Sequence, residues 1–168
     1  MNPLAALLYI VTVVLVASGG AKLLRPSATA TSLRELSIPS PLVSARLLGL
    51  VEIVLGVIAI ATGHPLAWAA VALSYAGFAV FILWALGDPE RLGSCGCFGR
   101  EDTPPTIGHL AFNAVAATLA LLAIFDPVQP RDFSGSTAEA LITIALIAAG
   151  TALSIAALTV LPRRFARS

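Results

Sequence analysis

Between Glu52 and Asp88 the chain contains no Asp, Glu, Lys or Arg, and only His64 in that run can carry a charge near neutral pH. A helix crosses the hydrocarbon core of a bilayer with about 20 apolar residues, so this one stretch holds two crossings joined by a turn. Composition extends the conclusion to the whole chain. Charged residues make up 11% of it and hydrophobic residues 58%, with a mean hydropathy of +0.93, whereas a soluble domain carries about 25% charge. The formal net charge of +1 comes without a basic patch interleaved with aromatics, so nucleic acid is excluded as a partner class. The partner that the composition demands is the lipid bilayer.

Apolar windows predict an all-α membrane bundle with five spans: Leu4 to Leu24, Leu42 to Ala61, Leu66 to Leu86, Ile107 to Phe125 and Ala138 to Leu161. "TGHP" (Thr62 to Pro65) reads as a tight turn, and "DPVQPRDFSGS" (Asp126 to Ser136) stacks prolines and glycines where a helix cannot continue. Ser136 followed by Glu139 fits a capping box opening the last span. Ala148, Ala152 and Ala156 form a small-residue stripe there, of the kind that lets membrane helices approach, and are expected to pack. The segment 26–41 is too polar to cross. Leu33, Leu36 and Ile38 on one face make it either a linker or a short helix lying on the interface. No Lys or Arg precedes the first apolar run, so the basic region of a cleaved signal peptide is missing and residues 1–21 are expected to stay as a span.

Five alternating spans place Lys22, Arg25, Arg34, Arg46, Arg91, Arg100, Arg163, Arg164 and Arg167 on one side and Arg131 alone on the other. By the positive-inside rule the first side is cytoplasmic.

That side also bears the two cysteines, Cys95 and Cys97, in "RLGSCGCFGRED". Cysteines two apart on an extended chain have Cα atoms about 6–7 Å apart, at the upper limit for a disulfide, so closure needs a turn. Gly93, Gly96 and Gly99 supply the backbone freedom. So short a loop removes little unfolded-state entropy, which argues against a structural staple, and a strained, exposed disulfide has the oxidising potential suited to exchange. Two other readings stay open: a soft-metal site, Cu(I) being the candidate, and two incidental small apolar residues. Two thiolates are an incomplete zinc site, and of the histidines that might complete it, His64 falls on the opposite membrane face from His109.

Polar residues inside the spans are the other candidates. Glu52 lies in the second span, where a carboxylate costs about 2.5–3.5 kcal/mol on insertion scales and should face the bundle interior. His109 and Asn113, four apart, share a face of the fourth span. Glu52 and Asn113 are expected to bond each other as a clasp between these spans, or to act as a proton path or quinone-contacting group beneath the cysteine loop.

Taken together, "ASGGAKLLRP", "LLGLVEIVLG", "CGCFG" and "GHLAFNAVAATLALLA" resemble the methylamine utilisation protein MauE family within the DoxX-like membrane proteins. The resemblance implies a four-helix core over residues 1–125, with the interfacial segment 26–41 and a cysteine loop over 87–106; the linker, fifth transmembrane helix and basic tail over 126–168 are additional to it. It also implies a part in disulfide formation or protein maturation beside a thioredoxin-like partner in methylamine-oxidising systems, in a bacterial plasma membrane. In that pattern Cys95 and Cys97 are the redox pair, Glu52 the helix acid and Asn113 the asparagine; His109 is a supporting candidate from its spacing to Asn113 alone. The family's pattern places a basic residue before the asparagine. Phe112 stands there, so Glu52 lacks that ionic partner.

No nucleotide loop, haem-attachment motif or cluster ligand set is present in the sequence, so no cofactor is evident and a membrane quinone is the candidate electron acceptor. The expected activity is that of a thiol–disulfide oxidoreductase-like membrane protein. The rivals are a copper- or small-molecule-handling membrane protein and a non-catalytic assembly subunit. The resemblance implies thiol chemistry on an outer, oxidising face, opposite to the side that the charge rule selects. Labelling of Cys95 by a membrane-impermeant maleimide in intact cells separates the two: reaction before lysis places the loop outside, and reaction only after lysis places it in the cytoplasm.

Overall fold

The computed structural model describes residues 3–87, 104–126 and 136–165. These form six α-helices, with no strand among the described residues: α1 (Pro3–Leu24), α2 (Ser27–Glu35), α3 (Pro41–Thr62), α4 (Pro65–Gly87), α5 (Ile107–Phe125) and α6 (Thr137–Phe165). All but α2 are long and apolar enough to cross a membrane. The protein is a multi-pass all-α membrane bundle, and the five expected spans match the five long helices closely. The largest difference is at the end of α6, which continues past Pro162 to Phe165. A proline costs a helix one backbone bond and bends it, and near a terminus that does not force a stop.

Successive long helices run antiparallel, and two pairs pack most closely, α1 with α3 and α4 with α5. Small residues explain both. In lipid there is no hydrophobic drive between helices, so close approach of the backbones supplies the attraction. The buried stripe of α3 is Ala45, Gly49, Glu52, Gly56 and Ala59, small at every position but one. A methyl added to Gly49 would stand 2.6 Å from the Gly19 carbonyl oxygen, and one on Gly56 would stand 2.5 Å from Val16 Cγ2. On α5 the corresponding stripe is Ala116, Ala120 and Ala123, all fully buried in a cluster with Trp68, Val71 and Tyr75 of α4. The Tyr75 hydroxyl donates to the Val11 carbonyl and ties α4 to α1.

The connections follow their residues. Gly63, in the left-handed region at φ 61°, caps α3, and the hydroxyl of Thr62 accepts from the His64 N–H while His64 Nδ1 accepts from the Leu66 N–H. This closes the α3–α4 turn. α2 ends in a Schellman arrangement, with Ile38 N–H bonded to Leu33 O and Ser37 N–H to Arg34 O, Ser37 taking the positive φ. The residues that α2 buries are Ala28, Thr29, Ala30 and Ser32, while Leu36 and Ile38 are exposed. Because the helix stops at Glu35, Ile38 lies beyond it, and the packed face is the small one.

At α6 the capping box is present in both directions: Ser136 N–H donates to Glu139 Oε2 at 2.9 Å and Glu139 N–H to Ser136 Oγ at 3.3 Å. The alanine stripe needs correction. Ala148, Ala152 and Ala156 are exposed; α6 packs on α1 through the opposite face, where a methyl on Gly150 would stand 2.5 Å from Ile10 Cδ1. A glycine permits a closer approach than an alanine and decides which face turns inward.

Replacing Gly49 by Val overpacks the α1–α3 contact at a cost of about 1–3 kcal/mol. The expected result is a lowered thermal midpoint in detergent for Gly49→Val. Gly20→Ala, whose added methyl meets nothing within 4 Å, should leave the midpoint unchanged or higher.

Candidate functional site

Among the described residues, the interior carries one full charge pair. Lys22 Nζ lies 2.9 Å from Glu52 Oε1 and 2.9 Å from Glu52 Oε2, and it donates to Ser18 Oγ at 2.6 Å; both charged side chains are 1% exposed. The backbone explains the meeting. Cα–Cβ bonds tilt toward the N-terminus of their own helix, and α1 and α3 are antiparallel. Lys22, three residues beyond Gly19, leans back down α1, while Glu52, three residues beyond Gly49, leans up α3. With the two glycines in contact the side chains converge. Lysines near a span end usually extend outward to water; this one points inward. Its ammonium also sits 5.0 Å from the centroid of the Phe78 ring, a cation–π contact that strengthens when desolvated.

Facing the pair across the bundle is the first turn of α5. Thr106 caps this helix, its hydroxyl accepting from the His109 N–H and lying 2.8 Å from His109 Nδ1. His109 is 1% exposed, and its Nε2 has no hydrogen-bond partner among the described residues. Asn113 is buried one turn below and donates through Nδ2 to the His109 carbonyl at 2.7 Å. Between the two clusters lies a cavity of about 20 Å³, walled by Ser18, Lys22, Tyr75, His109, Asn113 and Leu158 among others. That volume accommodates a single water.

Of the expected site residues, Glu52, His109 and Asn113 are brought to this one region, with His109 and Asn113 on a common buried face as their spacing predicts. The expected Glu52–Asn113 clasp is not formed. Glu52 is held by Lys22, and Asn113 is engaged by its own helix. Cys95 and Cys97 lie outside the described residues. His64 closes the α3–α4 turn at the opposite end of the bundle from His109, so the two histidines do not share a site.

Lys22 is the residue that sequence reasoning missed, because a cation beside a span end was counted as a loop charge. Two signals pointed to it: Ser18 and Lys22 are four apart on one helix face, and Gly19-x-x-Lys22 and Gly49-x-x-Glu52 repeat one spacing in two neighbouring spans. Glu52 takes its ionic partner from α1, whereas the sequence reading leaves it without one.

A family model described as methylamine utilisation protein MauE matches residues 1–126. The chain belongs to the MauE family. The match ends where α5 ends, so the family's core here is α1 to α5, with Lys22, Glu52, His109 and Asn113 all inside it, and α6 lies outside. No curated protein and no solved structure matches the chain.

A buried pair broken on one side leaves an uncompensated charge, at a cost of about 3–5 kcal/mol, whereas its replacement by apolar residues of similar volume is close to neutral. Lys22→Met and Glu52→Leu should therefore each sharply lower the yield of folded protein and its thermal midpoint in detergent. The double variant should recover most of both, which a double-mutant cycle on the midpoints measures.

Proposed function

We propose that this MauE family member is a thiol–disulfide redox protein of a bacterial plasma membrane, and that Cys95 and Cys97 exchange electrons with the cysteines of a partner that it helps to oxidise or mature. The observation that carries the reading is the position of the polar centre. The segment bearing both cysteines joins the end of α4 to the start of α5, and that end of the bundle holds His109 in the first turn of α5, with the Lys22–Glu52 pair facing it across the cavity. A membrane protein retains buried ionisable groups at a cost, and such groups mark proton and substrate paths.

The chemistry follows from the sulfur. One thiolate attacks a disulfide of the partner, a mixed disulfide forms, and the second cysteine resolves it; run in reverse, the oxidised pair accepts attack from a partner thiolate. Each disulfide formed from two thiols releases two electrons and two protons. The electrons leave to a thioredoxin-like protein or to a membrane quinone. His109, with one ring nitrogen held by Thr106 and the other uncommitted, is suited to take up and pass on a proton, while Asn113 and Glu52 hold the surrounding geometry.

A Cys97→Ser variant should accumulate Cys95 in a mixed disulfide with a partner protein, visible as a reducible higher-mass band on non-reducing gels and absent from Cys95→Ser/Cys97→Ser. Stoichiometric Cu(I) on the purified protein, lost in the double variant, with no trapped partner, would replace this reading with metal handling. Full function of the double variant would make the chain an assembly subunit.

A further inference from the structure

The packing leaves over one ring nitrogen. His109 is 1% exposed, its Nδ1 lies 2.8 Å from the Thr106 hydroxyl at the cap of α5, and Nε2, across the ring, has no hydrogen-bond partner among the described residues. Asn113, one turn below, has a similar surplus. Its Nδ2 donates to the His109 carbonyl at 2.7 Å, and because a carbonyl can only accept, this contact fixes which way the amide points. The Asn113 Oδ1 is then an acceptor with no partner among the described residues. The Tyr75 hydroxyl gives its proton to the Val11 carbonyl and keeps oxygen lone pairs. His109, Asn113 and Tyr75 all line the internal cavity of about 20 Å³.

The other polar groups on that wall, Lys22 and Ser18, are engaged with each other and with Glu52, and no bond to the cavity is asked of them. A buried water needs about 10–15 Å³ and two to four polar partners, and the cavity meets both conditions through His109, Asn113 and Tyr75. Nothing larger fits, and the ammonium on the same wall disfavours a metal cation. Water also suits a histidine that changes state. With Nδ1 protonated and donating to Thr106, Nε2 accepts from the water. With the Thr106 hydroxyl donating to Nδ1, Nε2–H donates to the water instead. In the imidazolium both nitrogens donate. A fixed donor or a fixed acceptor opposite Nε2 would satisfy only some of these states, whereas water and the Thr106 hydroxyl, each both donor and acceptor, satisfy all three.

We infer that this cavity is a binding site for one water molecule, held between His109 Nε2 and Asn113 Oδ1, and that the water lets His109 take up and release a proton at the Thr106 end of the bundle. Asn113 is a positioning residue: it anchors the water and does not itself exchange the proton. The charged or titratable side chains across the cavity from His109 are Lys22 of α1, Glu52 of α3 and Tyr75 of α4, and the first two offset each other. The connection bearing both cysteines enters α5 at Thr106. As a use for the proton, the inference rests on the proposed dithiol chemistry: a thiol S–H bond breaks, one proton passes to the imidazole, and no electron moves in that step.

The test uses the full chain in nanodiscs with ¹⁵N-labelled histidine rings and solid-state NMR. His64 and His109 are the two histidines of the chain, so His64→Gln assigns the signals. Expected are a cross-peak from water protons to His109 Nε2 and, on acidification, a shift of both ring nitrogens to the doubly protonated form. Leu158→Phe fills the cavity from α6 without altering a polar group and should abolish the cross-peak and hold the ring in one neutral form, with the Thr106 contact at Nδ1 retained. Asn113→Leu should also abolish the cross-peak. Leu153→Phe, on an exposed part of α6, should change nothing. A wild-type Nε2 without the cross-peak, or a cross-peak that survives both Leu158→Phe and Asn113→Leu, overturns the water site. A ring that takes its second proton equally well in Leu158→Phe overturns the role given to the water. If the NMR results are as expected but Cys97→Ser traps no partner, the dithiol reading fails and the water-backed histidine stands.

Discussion

A lysine and a glutamate facing each other out of reach of water organise this bundle. Neither ion is tolerable alone at that depth, and together they remove each other's charge from the hydrocarbon. The pair works only if α1 and α3 keep one register, because a shift of one residue turns a side chain by about 100° around its helix. The glycines at the crossing allow the register and the ion pair fixes it. Ser18 adds an oxygen to the ammonium and Phe78 a ring face, so the cation is surrounded on several sides by groups that stabilise it.

The remaining architecture follows from where small residues fall. The buried positions of α3 and α5 hold nothing larger than alanine, apart from Glu52 on one and His109 and Asn113 on the other. These three polar residues interrupt the two small-residue stripes and are the residues around which the interior opens. Trp68 and Leu8, toward the opposite end of the bundle, are fully buried. The charge sits toward the end next to the cysteine-bearing connection, and a tight α1–α3 contact, Gly19 on Gly49, sits with it.

Much of this was legible before any coordinates. The charge-free run from Glu52 to Asp88 forced helices, and the apolar windows located all five spans because a membrane leaves so few other structures available. Glu52, His109 and Asn113 stood out because polar side chains in such windows have few innocent explanations. What escaped were facts of direction. Sequence alone did not show that Lys22 turns inward, since that depends on which helix lies beside α1 and on its antiparallel sense. The alanines of α6 carried the right pattern on the wrong face, because Gly150 approaches Ile10 more closely than an alanine could. In segment 26–41, α2 buries its small side, Ala28, Thr29, Ala30 and Ser32, and leaves Leu36 and Ile38 exposed.

α6 stands outside the matched family region, yet Leu158 forms part of the wall around the internal cavity. Remove that helix and one side of the polar centre would look onto acyl chains. On that side the fifth span serves as insulation between the polar centre and the surrounding lipid.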